Sequence, residues 1–161
     1  MGGVEVAVAI GSNVGDRESH LAFARARLGQ ILGGLRASAV HETAPVGVPG
    51  TQRHFLNQVV VGETTRTPRE TLRLLLAIEQ DRGRKRPFPG APRTLDLDLI
   101  LFGDRVVTEP GLVLPHPRFR ERLFVLEPLA EIAAAMLDPV TGKTVGELLG
   151  SLTNPPRRSA R

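Results

Sequence analysis

Among its 161 residues the chain has no cysteine, no tryptophan and no tyrosine. The missing cysteine excludes disulfides, thiolate metal sites and cysteine nucleophiles, and it points to a cytoplasmic location. No apolar run approaches the length that spans a bilayer. The stretch from Met1 to Val6 has no basic region ahead of an apolar one, so no signal peptide is expected. The phosphate loop G-x-x-x-x-G-K-[ST], the dinucleotide turn G-x-G-x-x-G, the zinc motif H-E-x-x-H and the nucleophile elbow G-x-S-x-G are also absent. Any nucleotide chemistry must therefore use a site of another kind. Lysine is scarce as well, with Lys85 and Lys143 the only two among 21 basic residues. Arginine carries the net charge of +4, and arginine favours bidentate contacts with phosphate and carboxylate.

The most informative stretch that is present runs from Arg93 to Leu101. Polar and apolar residues alternate there with period two, which predicts a β-strand. The same period puts Asp96 and Asp98 on one face, roughly 7 Å apart at Cα. Aspartate fits strands poorly, and two carboxylates on one face repel each other. A divalent cation would remove that repulsion, and Mg²⁺ prefers oxygen ligands that bridge it to substrate phosphates. Upstream lie Arg82, Arg84, Lys85, Arg86 and Arg93, with no acid between Asp81 and Asp96. Carboxylates for metal beside cations for phosphate suggest phosphoryl chemistry. The competing reading is a sheet with a wet face next to a solvated run of charge.

The length suits one domain with a sizeable core, assigned to residues 1–152, with a disordered basic tail over 153–161. Val4 to Ile10 reads as a buried first strand. Gly11 to Asp16 reads as a turn into a helix N-terminus, of a kind that can hold an anion. A helix with Leu21, Ala24, Leu28 and Ile31 on one stripe follows, and Gly33 and Gly34 stop it. Leu35 to Thr43 reads as a second strand, Ala44 to Gly50 as a loop and Phe55 to Val61 as a third strand. Thr67, Pro68 and Glu70 form a capping box with proline at the first helical position. The helix they open has Leu72, Leu75 and Leu76 on its apolar stripe and ends at Gly83. The prolines at 87, 89 and 92 make the next segment a loop. After the Asp96/Asp98 strand, Val106 and Val107 suggest a short fifth strand, and helices are expected over Phe124 to Met136 and Val145 to Leu149. The core order is a ferredoxin-like βαββαβ pattern in the α+β class, an antiparallel sheet flanked by helices with helical additions at the C-terminal side.

Three further positions carry two readings each. Glu79 falls on the apolar stripe of the second helix, where it either escapes to water or faces a ligand as an acceptor. Asn57 shares a strand face with Phe55, Val59 and Val61, so its amide either bonds nearby backbone or pairs a flat heterocycle stacked on Phe55. The stretch from Leu114 to Phe124 holds His116, Arg118, Arg120 and Arg122; either it is a surface turn with a salt-bridged helix start, or His116 contacts phosphate or base and Arg122 contacts phosphate.

With these residues in place, the chain resembles the 6-hydroxymethyl-7,8-dihydropterin pyrophosphokinase family of folate biosynthesis. The resemblance rests on Ala9 to Asn13, Glu42 and Thr43 with Pro45 to Gly47, Phe55 to Asn57, Ile78 and Glu79, Gly83 and Arg84, and Pro92 to Asp98. Pro115 and His116 with Arg122 and Phe124 complete it, and the string from Pro92 to Asp98 is its most specific part. The resemblance implies transfer of the β,γ-pyrophosphoryl group of ATP, the co-substrate, to the pterin hydroxymethyl oxygen with release of AMP. It implies that Asp96 and Asp98 hold two Mg²⁺ ions, that Asp96 also meets the pterin, and that Arg84 and Arg93 stabilise the transferring group. Glu79, Arg86, Leu99, His116 and Arg122 are expected at the ATP site. Thr43, Ala44 and Val46 are expected to contact the pterin through backbone, Asn57 to bond its edge, and Phe55 and Phe124 to sandwich it. A monomer is implied, with small-molecule substrates and neither nucleic acid nor membrane as partner.

The chain departs from the family pattern at three places. Gly90 stands where the family often has tryptophan, with Phe88 the available replacement, and the loop is one residue shorter. Phe55 lacks the hydroxyl common at its position, and Gly111 and Val113 stand where some relatives place polar ATP contacts. Rival readings are a single-stranded RNA-binding domain, a two-metal nuclease and a protein-binding module. The first wants aromatic strands and an RNP-like string, and the second a long groove and a third carboxylate.

Overall fold

A strand that is apolar on both faces needs a layer on each side. The first strand, β1 (Val4–Ser12), is such a strand. Val6, Val8 and Ile10 are buried in one core and Ala7 in a second on the opposite face. Each of the larger side chains contributes about 1.5–3 kcal/mol by burial. The computed structural model describes residues 3–45, 52–83 and 93–154, and within them it supplies both layers. In chain order the elements are β1, α1 (Arg17–Ile31), β2 (Gly33–Ala37), β3 (His41–Thr43), β4 (Phe55–Thr64), α2 (Pro68–Asp81), β5 (Asp96–Phe102), β6 (Val107–Glu109), β7 (Leu112–Leu114), α3 (Leu123–Ala133) and α4 (Val145–Thr153). The sheet order is β2-β4-β1-β5, with β3 extending the β2 edge against β4, and every pairing is antiparallel. This is the expected ferredoxin-like arrangement, since β4 lies between β1 and the strands that follow α1. Helices α1 and α2 pack on the face of Val6, Val8 and Ile10, and α3 and α4 cover the other.

The helix starts follow their sequence signals. Thr67 accepts from the Glu70 backbone while the Glu70 carboxylate accepts from the Thr67 backbone, the expected capping box. Thr144 and Glu147 form a second one at α4. Asp16 caps α1 by accepting from the Ser19 backbone, so that helix N-terminus already has its anion in a side chain of its own.

Two expectations change. The second strand is not continuous over Leu35 to Thr43 but divides into β2 and β3. At the break Ser38 Oγ accepts from the Val59 backbone N–H at 3.0 Å, and Gln58 Nε2 donates to the Ser38 carbonyl at 2.6 Å. Side chains thus replace ladder bonds, and the register slips by one residue between Ala37↔Val60 and His41↔Asn57. The short strand expected at Val106 and Val107 is one arm of a hairpin, β6 with β7. Its two-residue turn is Pro110-Gly111, and Gly111 has φ of 76°, a conformation that favours glycine. Gly111 therefore answers a demand of the turn. Helix α3 ends at Ala133, short of the expected Met136, and α4 runs to Thr153, past Leu149. Residues 155–161 of the expected tail lie outside the described residues.

The return from β7 to α3 bears on the site because it carries Arg118 and Arg122. A 3-10 turn at Phe119–Glu121 lies between them, with Phe119 fully buried. Arg120 donates from Nε to Asp138 Oδ2 at 2.5 Å and from Nη2 to Oδ1 at 2.9 Å. Asp138 is fully buried and also accepts from the Val140 backbone and the Thr141 hydroxyl. Burial alone would raise its carboxyl, but the bonds from Arg120, Thr141 and Val140 outweigh it and hold the group at about 2. Its contribution to stability is present above pH 4 or so and is lost as pH falls towards 2. Replacing Asp138→Ala leaves Arg120 without its partner and is predicted to cost about 3 kcal/mol in chemical denaturation at pH 7. A loss under about 0.5 kcal/mol would show that the pair does not anchor this return.

Candidate active site

Register places the candidate residues in rows across the sheet. One row runs His41, Asn57, Gly11, Asp96 on neighbouring strands, and Ala9 pairs with Val59 and Asp98 in a second. Asn57, Gly11, Ala9, Asp96 and Asp98 thus share the face covered further along by α3 and α4. Gly11 and Ala9 keep the floor shallow between the amide and the carboxylates. A Cβ on Gly11 would lie 3.6 Å from Asn57 Oδ1 and 3.7 Å from the Phe55 ring. The result is a cleft of about 660 Å³.

The cleft has an aromatic and amide end and a charged end. At the first, Phe55, Asn57, Thr43, Ala44 and Pro45 line the wall, and Phe124 joins them from the first turn of α3. Asn57 Nδ2 donates to Thr43 Oγ1 at 2.6 Å, so the amide is tied to a side chain and not to backbone as its bland reading had it. Phe124 remains 37% exposed at the rim of the cleft. The Arg122 guanidinium lies 5.4 Å from its ring centre.

At the charged end, Arg93 Nη1 donates to Asp96 Oδ2 at 2.8 Å. Asp98 lies deeper. Burial, and next to it the Asp96 charge, push its carboxyl up to about 6, while Arg122 and Arg93 act in the opposite direction. A cation at this pair would relieve the repulsion that raises Asp98, so the donor set fits a hard divalent ion. Among the described residues no group of three or more His, Cys, Asp or Glu could hold a metal. A cation here would fill its remaining positions with water and phosphate oxygens, as Mg²⁺ does at nucleotide sites.

Three of the expected ATP residues do not line the cleft. Glu79 is 1% exposed and so does not escape to water. Its Oε2 accepts from the Leu97 backbone N–H at 2.6 Å, capping edge strand β5 from the side of α2. From there its charge also helps raise Asp98. The Leu99 side chain is buried in the core beneath α1 and α2. His116 donates its backbone N–H to the Ile100 carbonyl at 2.9 Å, and its Nδ1 accepts from the Arg118 backbone. Burial, then Arg122, lowers its pKa from the usual imidazole value, although Asp96 opposes them. Val46, Arg84 and Arg86 lie outside the described residues, as do Phe88 and Gly90. Val113 lies on β7 and is 43% exposed. Arg118 and Glu121 line the cleft without having been assigned a role. Their signal was position, since each lies within four residues of Arg122.

The protonation of Asp98 yields a prediction. The neutral form contributes stability that is present below the unfolded value of 3.8 and is lost as pH rises through about 6. Without divalent cation, Asp98→Asn should therefore stabilise the protein by about 1–2 kcal/mol at pH 7, a gain that shrinks towards pH 4. Urea denaturation at both pH values checks this, and an equal gain at both would contradict the assignment.

The geometry agrees with the comparisons. The family model for 7,8-dihydro-6-hydroxymethylpterin-pyrophosphokinase (HPPK) matches residues 7–134. The 2-amino-4-hydroxy-6-hydroxymethyldihydropteridine pyrophosphokinase of Bacillus subtilis is 46% identical over 127 residues, covering 78% of this chain and 75% of that one. The protein of the same name from Synechocystis is 42% identical over 144 residues, covering 88% and 73%. Among solved structures, an HPPK-DHPS chain in complex with substrates has a TM-score of 0.72 at 14% identity, covering 92% of this chain and 43% of that one. An HPPK-DHPS A437G chain of Plasmodium falciparum has a TM-score of 0.74 at 13% identity, covering 92% and 45%. This chain thus spans under half the length of those two, and at such identity they speak to the fold alone.

Proposed function

The chain belongs to the 7,8-dihydro-6-hydroxymethylpterin-pyrophosphokinase family, and from that premise we propose that it transfers the β,γ-pyrophosphoryl group of ATP to the hydroxymethyl oxygen of 6-hydroxymethyl-7,8-dihydropterin, for folate biosynthesis. The observation that carries this reading is the row from Asn57 through Gly11 to Asp96. It sets a heterocycle-sized aromatic and amide wall beside a carboxylate pair with arginines around it.

In the proposed reaction the acceptor hydroxyl oxygen attacks the β-phosphorus in line. A new O–P bond forms, the bond from the β-phosphorus to the α,β-bridging oxygen breaks, AMP leaves, and the hydroxyl proton passes to solvent. No covalent enzyme intermediate is needed, so positioning and charge carry the catalysis. Phe55 and Phe124 hold the pterin ring between them, Asn57 bonds its edge, and Thr43, Ala44 and Val46 present backbone groups. Asp96 and Asp98 would hold two Mg²⁺ ions, which would supply positive charge to offset that of the triphosphate. Arg93, which donates to Asp96, is assigned to the charge on the transferring group, with Arg84 and Arg86 assigned to phosphate as well. Arg122 faces phosphate from the start of α3, where no side chain caps the helix. Glu79 acts at the ATP side through β5, His116 from beside Ile100, and Leu99 through its backbone.

Residues 1–152 form the proposed catalytic domain, which is proposed to act as a cytoplasmic monomer. Among the described residues no helix is long and apolar enough to cross a membrane. An RNA-binding reading would need a broad open sheet face, whereas α1 and α2 cover one face and α3 and α4 cover the other except at the cleft.

Product analysis tests the proposal. Incubation with ATP, Mg²⁺ and the pterin should give AMP in step with diphosphorylated pterin, and nothing without Mg²⁺ or pterin. ADP in place of AMP would overturn it. Arg93→Ala should slow transfer by on the order of 10²-fold with the fold intact, as for lost oxyanion donors. A rate close to that of the unsubstituted protein would remove Arg93 from the mechanism.

A further inference from the structure

Asn13, just past the end of β1, is 2% exposed, and its polar groups converge on two separate segments. Its backbone N–H donates to the Arg93 carbonyl at 3.0 Å, and its Oδ1 accepts from the Arg93 backbone N–H at 2.8 Å. These two bonds close a ring that fixes the Arg93 backbone from both sides. The Nδ2 group donates to Gln52 Oε1 at 3.1 Å and to the Arg53 carbonyl at 3.3 Å. Gln52 and Arg53 lead directly into Phe55 and Asn57 on β4. The same region is tied again where Arg53 Nη1 donates to the Gly15 carbonyl at 2.7 Å and Arg17 Nη1 to the His54 carbonyl at 2.8 Å.

We infer that Asn13 is a positioning residue, whose side-chain amide sets Arg93 against the carboxylate pair and registers it with the strand that holds the acceptor ring. The inference rests on the pyrophosphoryl-transfer reading for what Arg93 and β4 do, but not for the bonds themselves. A buried amide is costly to leave unpaired, so one that uses both its ends this way holds its partners in place. In-line transfer is sensitive to such placement, and a misplacement of about 1 Å costs on the order of 10²-fold. No other side-chain bond is made to the Arg93 backbone among the described residues. Asparagine suits the position because it supplies acceptor and donor from one rigid group. Aspartate keeps the acceptor and loses the donors, and alanine loses both.

Four variants separate these roles. Asn13→Ala should slow the single-turnover transfer step about 10- to 100-fold in the otherwise unchanged protein. In the Arg93→Ala background it should add less than about threefold, because it acts through Arg93. Asn13→Asp should transfer within about threefold of the parent rate yet raise the pterin KM about fivefold or more. Amide exchange at Arg93 needs no substrate, so it stands or falls apart from the assigned reaction. It should speed up at least about tenfold in Asn13→Ala and stay unchanged in Asn13→Asp. If Asn13→Ala does not fold, the Asn13→Asp split between rate and KM carries the test. Full additivity with Arg93→Ala, or unchanged exchange at Arg93 in folded Asn13→Ala, would overturn the inference. So would an Asn13→Asp protein with parental KM. If the parent protein makes no AMP while Arg93 exchange responds as stated, the transfer reading fails and the positioning of Arg93 stands.

Discussion

Two carboxylates placed on one face of an edge strand are the constraint around which the site is arranged. Asp96 and Asp98 face the same way because a strand repeats every two residues, and Asp98 resists ionisation, its carboxyl pushed up to about 6 by desolvation and by the Asp96 charge. Arg93 offsets part of the charge through Asp96, and Arg122 part of it from across the cleft. Glu79 works against them from the far side of β5, where its main task is to satisfy the Leu97 backbone. The balance leaves a pair that is strained without a cation and suited to one. Such an arrangement makes little sense as a stabilising feature, since it costs stability at neutral pH.

The rest of the fold turns this pair into a cleft. A three-layer core with helices on both sheet faces would bury the pair if α3 and α4 covered the whole sheet. They cover Val59, Val61, Ile100 and Leu101 but stop short of Asn57, Gly11 and Asp96. Small residues at 9 and 11 then leave room between the amide and the carboxylates. The Arg120–Asp138 pair holds the return that brings Arg118, Arg122 and Phe124 to the rim. Each feature is ordinary on its own, and together they place ring-binding and phosphate-binding groups side by side.

Much of this could be read from periodicity. The shared face of Asp96 and Asp98, the pairing of Phe55 with Asn57 on one face, and the capped start of α2 all follow from rules with short range. The errors arise where long-range bonds decide. Nothing local reveals that the Ser38 hydroxyl will take the Val59 backbone bond and split a strand in two. The sequence lets Glu79 face solvent or a ligand, but it is buried and accepts from a backbone N–H 18 residues away, on a strand edge that only the sheet order identifies. Pro110-Gly111 carried a turn signal that was readable, but a hairpin of three-residue strands offers too little alternation to see. Asn13 belonged to a recognised motif, yet its bonds to Arg93 and Gln52 cross 80 and 39 residues, so its role was invisible in sequence.

The central claim is that the bond broken lies between the α- and β-phosphates. Two ATP analogues test it most directly, each with one bridging oxygen replaced by a methylene group. With pterin and Mg²⁺, β,γ-methylene-ATP should give AMP and a pterin carrying the intact methylene diphosphonate, while α,β-methylene-ATP should bind and give no product. Turnover of the α,β-methylene analogue with the β,γ-methylene analogue inert would mean γ-phosphoryl transfer, and it would contradict the account.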